Sequence, residues 1–383
     1  MCSIYLYHFT IVCFRLDDLM VKILLIDNSS LTPKDDKFFC ELRTGNFAKD
    51  LVDLGNEVTM YGQSVKKANT VHAFDILNHG IKVCNINRKK NKIINYIFLY
   101  IRTIPLILKS DFVYIFYPTA FKYISFLCWI FRKPYGVYLR GQNDLDSLSS
   151  KIIYKKAFLI FTVTNFFTNF VSKFNKKSYT IRPMISLNQN DIVRDRFYQN
   201  SNNYKVLFLA RIAKDKGVEE LLRAVSILQK KGCNFTLDLV GDGEYLPEAI
   251  EIIKKLNIES IVNVRGTILD SNLIRQSYLE ADIYILPTYH EGFPRTLYEA
   301  MIFGTPIITT FVGGIPGVMQ NKYNCLEIEP KSVDSIVSSL LYAFENYSDM
   351  GVLARNALST VEPIVDSSRI SHAKHLDILI NEK

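Results

Sequence analysis

Pro287-Thr-Tyr-His-Glu-Gly-Phe-Pro-Arg-Thr-Leu-Tyr-Glu-Ala300 is the stretch from which the rest of this chain is read. It follows a short apolar run at 283–286, strand-like by composition, and leads into a helical pattern, so its polar residues fall on a strand-to-helix loop. Glu291 and Glu299 are eight residues apart. Glu291 sits in the loop beside Gly292, which permits close backbone approach, and Glu299 is expected about two turns into the helix. Carboxylates accept hydrogen bonds from sugar hydroxyls, and two at this separation suit two sugars of one elongated ligand. The helix N-terminus near Thr296 would then point at phosphates between them. As an isolated pair, the two read more simply as a loop charge and an ordinary helix residue.

Outward from this stretch, strand-like runs at 205–210, 235–240, 261–264, 283–286 and 306–309 alternate with helical patterns such as 218–231 and 246–256. Five strands with helical crossovers predict a doubly wound sheet, whose ligands bind beyond the carboxyl ends of the strands. Arg211 immediately follows the first of these strands, and Lys216-Gly217 opens the next helix. Two cations beside free helical N–H groups make a receptor for a diphosphate. At an effective dielectric of about 20, a cation roughly 4 Å from a phosphate charge gains roughly 4 kcal/mol before desolvation. Such a pair would stabilise a diphosphate leaving group, although Arg-x4-Lys-Gly alone is a pattern that solvated surface charges also produce.

Further landmarks follow in order: Leu239-Val-Gly-Asp-Gly-Glu244, Val264-Arg-Gly266, Ala281-Asp282, Glu299-Ala-Met301, Gly304-Thr-Pro306 and Gly313-Gly314. Together with the Glu-x7-Glu stretch, this series closely resembles retaining glycosyltransferase family 4 (glycosyl transferases group 1) over about 130 residues. The resemblance implies an α/β chain of the GT-B fold, two Rossmann-like doubly wound domains facing across a cleft. It also implies that Arg211 and Lys216 bind the donor diphosphate, Glu299 the ribose hydroxyls and Glu291 the transferred sugar. Gly292, Phe293, Thr296 and Leu297 would complete the donor contacts, with main-chain groups near Val264 and Arg265 bordering the base. The resemblance further implies that the reaction needs no bound divalent metal. The expectation is therefore no cofactor and no metal, with a UDP- or GDP-linked sugar as substrate.

The first half departs from the family in three places. Asn28-Ser-Ser-Leu-Thr-Pro-Lys-Asp-Asp36 replaces the Gly-Gly loop after the first strand, Arg140 stands where a His positions the transferred sugar, and Gly317 stands where a Glu often follows Gly-Gly. Arg140 is carried as a catalytic candidate able to donate hydrogen bonds.

A chain of 383 residues, 48% hydrophobic and 22% charged, is too long for one ordinary core and too apolar for general disorder. Strands at 21–26, 57–61, 112–117, 135–139 and 159–163, with a helix at 39–54, predict the first domain over 20–190 as the acceptor-binding unit. The polar stretch between Ile185 and Tyr204 reads as a linker, 204–365 as the donor-binding domain, and 366–383 as a terminal helix, patterned at 368–379, that packs back on the first domain. Residues 1–19 read as an extension ahead of a natural start at Met20, since they lack signal-peptide features. Seven scattered cysteines with no Cys-x-x-Cys suggest neither disulfides nor zinc, and hence a reducing cytoplasm. Asp35-Asp36 read as loop charges, and His290, His372 and His375 as incidental.

The net charge of +8 is unevenly spread: residues 88–140 hold ten Lys and Arg against one acid, Asp111, among many aromatics. Two readings stand side by side, an anionic membrane surface as partner or a domain core with a lysine-solvated exterior. No nucleic-acid-binding module accompanies the charge. The expected function is retaining transfer of a hexose or N-acetylhexosamine from a nucleoside diphosphate sugar to a glycan, lipid-linked by the basic first domain, in bacterial surface polysaccharide assembly at the inner face of the membrane. The alternatives are a catalytically weakened nucleotide-sugar-binding partner protein and a sugar-nucleotide epimerase or hydrolase of the same fold.

Overall fold

Unbroken apolar runs such as residues 23–26 and 112–117 need a strand on either side and helices on both faces. The computed structural model describes residues 20–64, 72–117, 121–181, 184–185, 187–366 and 368–382, so the extension expected at 1–19 lies outside the described residues. Its first domain runs β1 (Lys22–Lys34), β2 (Lys37–Glu41), α1 (Leu42–Asp53), β3 (Glu57–Ser64), β4 (His72–Asp75), β5 (Lys82–Asn87), α2 (Lys92–Lys109), β6 (Phe112–Tyr117), α3 (Ile124–Ile130), β7 (Tyr135–Leu139), α4 (Leu148–Lys156), β8 (Leu159–Thr162), α5 (Asn165–Val171) and β9 (Ser178–Thr180). The strands lie parallel in the order β5-β3-β1-β6-β7-β8-β9, and every residue of β6, β7 and β8 is buried.

The second domain runs β10 (Tyr204–Leu209), α6 (Val218–Lys230), β11 (Phe235–Val240), α7 (Leu246–Leu256), β12 (Val262–Gly266), α8 (Ser271–Glu280), β13 (Ile283–Leu286), α9 (Arg295–Ile302), β14 (Ile307–Thr310), β15 (Leu326–Ile328), α10 (Val333–Glu345) and α11 (Tyr347–Val365). Its sheet is parallel, ordered β12-β11-β10-β13-β14-β15, with the order reversing between β10 and β13. Loops that leave β10 and β13 therefore diverge over a crevice, which is where such sheets hold ligands.

Four expectations are corrected. The second sheet has six strands, because β15 is only three residues long and carries no pattern visible in the sequence. Residues 39–41 belong to β2 and not to the helix expected from residue 39. β2 folds back on β1 through Asp35 and Asp36, both at positive φ (49° and 58°) as a two-residue hairpin turn requires, and Glu41 then caps α1 by accepting from the Thr44 N–H at 3.1 Å. Asp35-Asp36 is thus a turn and more than a pair of loop charges. The stretch read as a linker is anchored to the second domain instead: the Val193 N–H donates to Ile302 O at 2.9 Å, and Tyr198 Oη donates to Gly304 O at 2.8 Å.

The chain ends in α12 (His372–Asn381), starting four residues later than the pattern at 368–379 suggests because Ser371 caps it, accepting from the Lys374 N–H. Ala373, Leu376 and Ile380 enter the first domain's core beside Phe47 and Leu51, and Asn56 Nδ2 donates to Asp377 Oδ1 at 2.8 Å. Burying Leu376 and Ile380 stabilises this return by roughly 1.5–3 kcal/mol each. Among the described residues no helix is long and apolar enough to cross a membrane.

Candidate active site

The site begins where β10 ends. Residues 214–216 form a single 3-10 turn, and Gly217, at φ 69°, passes so close to Pro287 that any Cβ would overlap the Pro287 carbonyl oxygen. A side chain is excluded there both by conformation and by space. This clamps the β10 loop to the β13 loop and brings Lys216 to Glu291: the Lys216 ammonium donates to Glu291 Oε1 and, at 3.4 Å, to His290 O. Both side chains are mostly buried. Thr288 Oγ1 lies 3.4 Å from the same carboxylate oxygen, and Thr310 Oγ1 donates to Thr288 O at 2.6 Å, so the loop is braced from β14. Arg211, by contrast, is 59% exposed, with loose ion pairs to Asp215 (3.5 Å) and Glu244 (3.7 Å). Exposed pairs of this kind contribute little and are readily exchanged for a better anion.

Glu299 is the fifth residue of α9, one turn in rather than two, because the helix starts only at Arg295. It is 9% exposed, with Tyr278 Oη donating to Oε2 at 3.0 Å and Arg43 Nη2 lying 3.5 Å from Oε1. Burial, and next the Glu299 carboxylate, push the Tyr278 hydroxyl well above its ordinary range, so it remains a donor. Thr296, at the second position of α9, is held by Tyr284 Oη at 2.7 Å, while Leu297 is fully buried and Phe293 packs on Tyr298. Val264 and Arg265 stand at the far edge on β12; Val264 is half exposed, and Arg265 Nη1 is 3.1 Å from Asp238 Oδ2.

The opposite wall comes from the first domain. Arg140 follows β7, with its guanidinium 4.7 Å from the Phe116 ring centroid and 3.6 Å from the buried Asp27 carboxylate. Gly292 packs against the Arg140 backbone so tightly that a Cβ would collide with its carbonyl oxygen. Gly317, where a Glu is common in the resembling family, rests on Thr164 and Phe166 of the first domain, and its hydrogen atom leaves room for that contact. Glu41 and Arg43, at the β2–α1 junction, complete the wall: Arg295 Nη1 reaches Glu41 Oε1 at 2.9 Å across the cleft, and Arg43 Nη1 reaches it at 3.3 Å. Burial pushes the Glu41 carboxyl up, but Arg295, Arg43 and the Thr44 N–H together outweigh it and hold it below its ordinary value. A cavity of 240 Å³ opens between these residues, lined by Glu41, Arg43, Tyr138, Arg140, Phe293 and Arg295 among others.

Four of the sequence candidates, Lys216, Glu291, Gly292 and Glu299, thus converge on one cleft, with Arg140 facing them and Arg211 at its rim. Glu41, Arg43, Asp27 and Tyr278 were not singled out, and only Arg295 lay within the decisive stretch. Gln142 Nε2 and His290 Nδ1 meet at 2.9 Å across the cleft, so His290 is a domain-bridging residue and not an incidental one. His372 is structural: it is buried, and its Nε2 pairs with Tyr114 Oη at 2.6 Å. Among the described residues no group of three or more His, Cys, Asp or Glu is arranged to hold a metal ion.

Residues 190–359 match the family described as glycosyl transferases group 1. An uncharacterized glycosyltransferase of Methanocaldococcus jannaschii is 27% identical over 41% of this chain and 40% of its own length. The 2-deoxystreptamine N-acetyl-D-glucosaminyltransferase of Niallia circulans is 31% identical over 37% of this chain and 36% of its own. The capsular polysaccharide biosynthesis glycosyltransferase CapM of Staphylococcus aureus is 25% identical over 45% of each. The chain therefore spans less than half the length of the curated relatives it matches. Among solved structures, Anabaena HepE in complex with UDP-glucose superposes over 94% of this chain and 98% of its own at a TM-score of 0.67 and 19% identity. The lipopolysaccharide outer core galactosyltransferase WaaB superposes over 94% and 99% at 0.65 and 16%. The match to glycosyl transferases group 1 thus falls on the second domain, within a chain of the GT-B fold.

Proposed function

We propose that this chain is a retaining glycosyltransferase that moves a hexose or N-acetylhexosamine from a nucleoside diphosphate sugar, UDP- or GDP-linked, to a hydroxyl of a glycan acceptor. The observation that carries the proposal is the buried Lys216–Glu291 pair beside the Tyr278-fixed carboxylate of Glu299, all above the diverging loops of β10 and β13. A diphosphate entering the cleft supplies Lys216 with a stronger anion than Glu291, and Arg211 swings from its loose partners to join it. Glu291 is thereby released to accept hydrogen bonds from the transferred sugar. Glu299 keeps one oxygen on Tyr278 and turns the other, now on Arg43, to the ribose hydroxyls. Gly292, Phe293, Thr296 and Leu297 frame the donor, and the main chain near Val264 and Arg265 borders the base.

In the transfer step the bond from the anomeric carbon to the diphosphate oxygen breaks and the acceptor oxygen bonds that carbon. The acceptor's proton leaves on the departing diphosphate, whose charge Lys216 and Arg211 match. Arg140, facing Gly292 from the first domain, donates to the sugar at the attack site. The nucleotide sugar is a substrate, and this reading, following the family resemblance, includes neither cofactor nor metal. The names of the relatives, capsule and outer-core synthesis among them, support a surface polysaccharide as the product.

Thermal melts with UDP, GDP and ADP, alone and as their sugar conjugates, test the reading. A ligand at 100 times its Kd stabilises by about 2.7 kcal/mol. One nucleotide should raise the Tm, and Glu299→Ala should abolish that rise while the unliganded protein still melts cooperatively. No rise with any nucleotide sugar, or an undiminished one in the variant, would overturn the assignment. The anomeric configuration of the product, read by NMR, tests retention.

A further inference from the structure

α2 presents its apolar side to water. Its buried row is Asn95, Leu99, Thr103 and Ile107, and two of these four are polar: Asn95 Oδ1 accepts from the Lys89 N–H at 2.9 Å, and Thr103 Oγ1 donates to Leu99 O at 2.7 Å. Facing outward are Ile93, Ile94, Ile97, Phe98, Ile101 and Leu108, with Ile93 at 72% and Ile101 at 60% exposure. A surface helix in water has the reverse arrangement. α3 packs beside α2 over the same core and exposes Trp129 and Ile130 by 54% and 67%. Neighbouring helices that both leave large apolar side chains in solvent mark a surface suited to a partner.

The charges along α2 have one sign. Arg88, Lys89 and Lys90 precede α2, and Arg102 and Lys109 are exposed on it, while residues 88–109 contain no acid. Lys89 Nζ stands 3.2 Å from the Phe98 ring centroid and Lys156 Nζ 5.1 Å from that of Trp129, with ammonium groups at the margin of the aromatic surface. Apolar side chains rimmed by cations complement a layer of acyl chains under anionic head groups. A second copy of the same face is a poor match, since it would bring cations against cations with no acid opposite.

We propose that α2 and α3 dock this chain on an anionic lipid bilayer, with α2 lying in the plane of the interface. The surface shares no residue with the donor site, so the proposal stands or falls apart from the assignment of glycosyl transfer. Its consequence is that the cleft is held beside a lipid leaflet, where a lipid-anchored acceptor presents its hydroxyls.

Trp129 is the only tryptophan in the chain and reports docking directly. With phosphatidylglycerol-containing vesicles its emission should shift to the blue and the chain should sediment with the lipid; with phosphatidylcholine alone neither should occur. Ile97→Glu with Ile101→Glu should lower vesicle partitioning by roughly tenfold or more. Lys89→Ser with Lys90→Ser should lower it by roughly fivefold per charge, an effect that added salt mimics in the parent chain. All changes fall on exposed side chains, and an unaltered melting curve confirms folding. Parent chain that neither sediments nor shifts, or equal binding by the glutamate variant, would overturn the proposal. So would a lipid-independent dimer that the glutamate variant dissociates, which would make a second copy the occupant.

Discussion

On the second domain's wall of the cleft, Lys216 and Glu291 stand on two strand-to-helix loops of one sheet, and Glu299 on the helix that follows the second loop. On the facing wall, Glu41 and Arg43 come from the end of a hairpin and Arg140 from the end of β7, about a hundred residues further on. Lys216 pairs with Glu291 inside the second domain, whereas Arg43 of the first domain reaches across to Glu299 and Glu41 to Arg295. The Lys216–Glu291 pair is thus complete within one domain, while the Glu41, Arg43, Arg295 and Glu299 cluster needs both. The difference teaches that part of the cleft is built by local motifs of one domain, while the rest depends on how the two domains are held together.

The sharpest way to break this comparison is on the second domain's wall. Lys216→Ala should lower kcat by roughly 10²–10³, because it removes a cation aimed at the developing diphosphate charge. It should also leave Glu291 without its buried partner. Steady-state kinetics with saturating donor check the first effect, and a kcat within a fewfold of the parent would detach Lys216 from the chemistry.

The first domain can be addressed separately through pH. His372 is buried against Tyr114, and burial, then His375 and Arg140, hold its imidazole well below the ordinary 6.5. Its folded-state value is depressed, so its contribution is fully present above the unfolded value and is lost as pH falls below about 6.5, where the unfolded chain takes up the proton first. The loss should approach about 1.4 kcal/mol per pH unit for the one proton concerned. Denaturant melts from pH 7.5 to 5.5 should show this slope, and His372→Phe should flatten it. The same slope in the variant would place the acid sensitivity elsewhere.

The smallest effect is expected at the cross-cleft pair. Arg295→Ala should cost about 0.5–1 kcal/mol or less, since Arg295 is partly solvated, and a double-mutant cycle with Glu41→Gln should recover a coupling of that size. A coupling near zero would leave the alignment of the two walls to the packing of Gly292 and Gly317 and to the Gln142–His290 and Arg43–Glu299 contacts.

Much of the sheet order was legible because parallel strands buried on both faces leave unbroken apolar runs; the limits at 112–117, 135–139, 235–240 and 283–286 coincide with β6, β7, β11 and β13. β15 escaped notice because a three-residue strand carries no period, and β2 because Phe38, Phe39 and Cys40 fit a helical continuation as well as a pleat until the Asp35-Asp36 turn sets the hairpin. The candidate carboxylates were legible as a pair, but their present partners were not. Tyr278 lies 21 residues from Glu299 and Arg43 lies 256, separations at which spacing carries no information. Asn95 and Thr103 show the converse. In the sequence they look like interruptions of an apolar helix, and only burial reveals that the apolar residues are the ones left outside.

The sequence by itself determined that the second domain is doubly wound, and placed the loop that carries Glu291 and the helix that carries Glu299, because each leaves its pattern in consecutive residues. Only the tertiary structure decided that Glu299 is buried against Tyr278, that Arg43 and Arg295 bridge the cleft, that His290 meets Gln142, and that α2 turns its isoleucines to the outside. Each of these depends on where a distant part of the chain comes to rest, and packing and charge settle that only once both domains are in place.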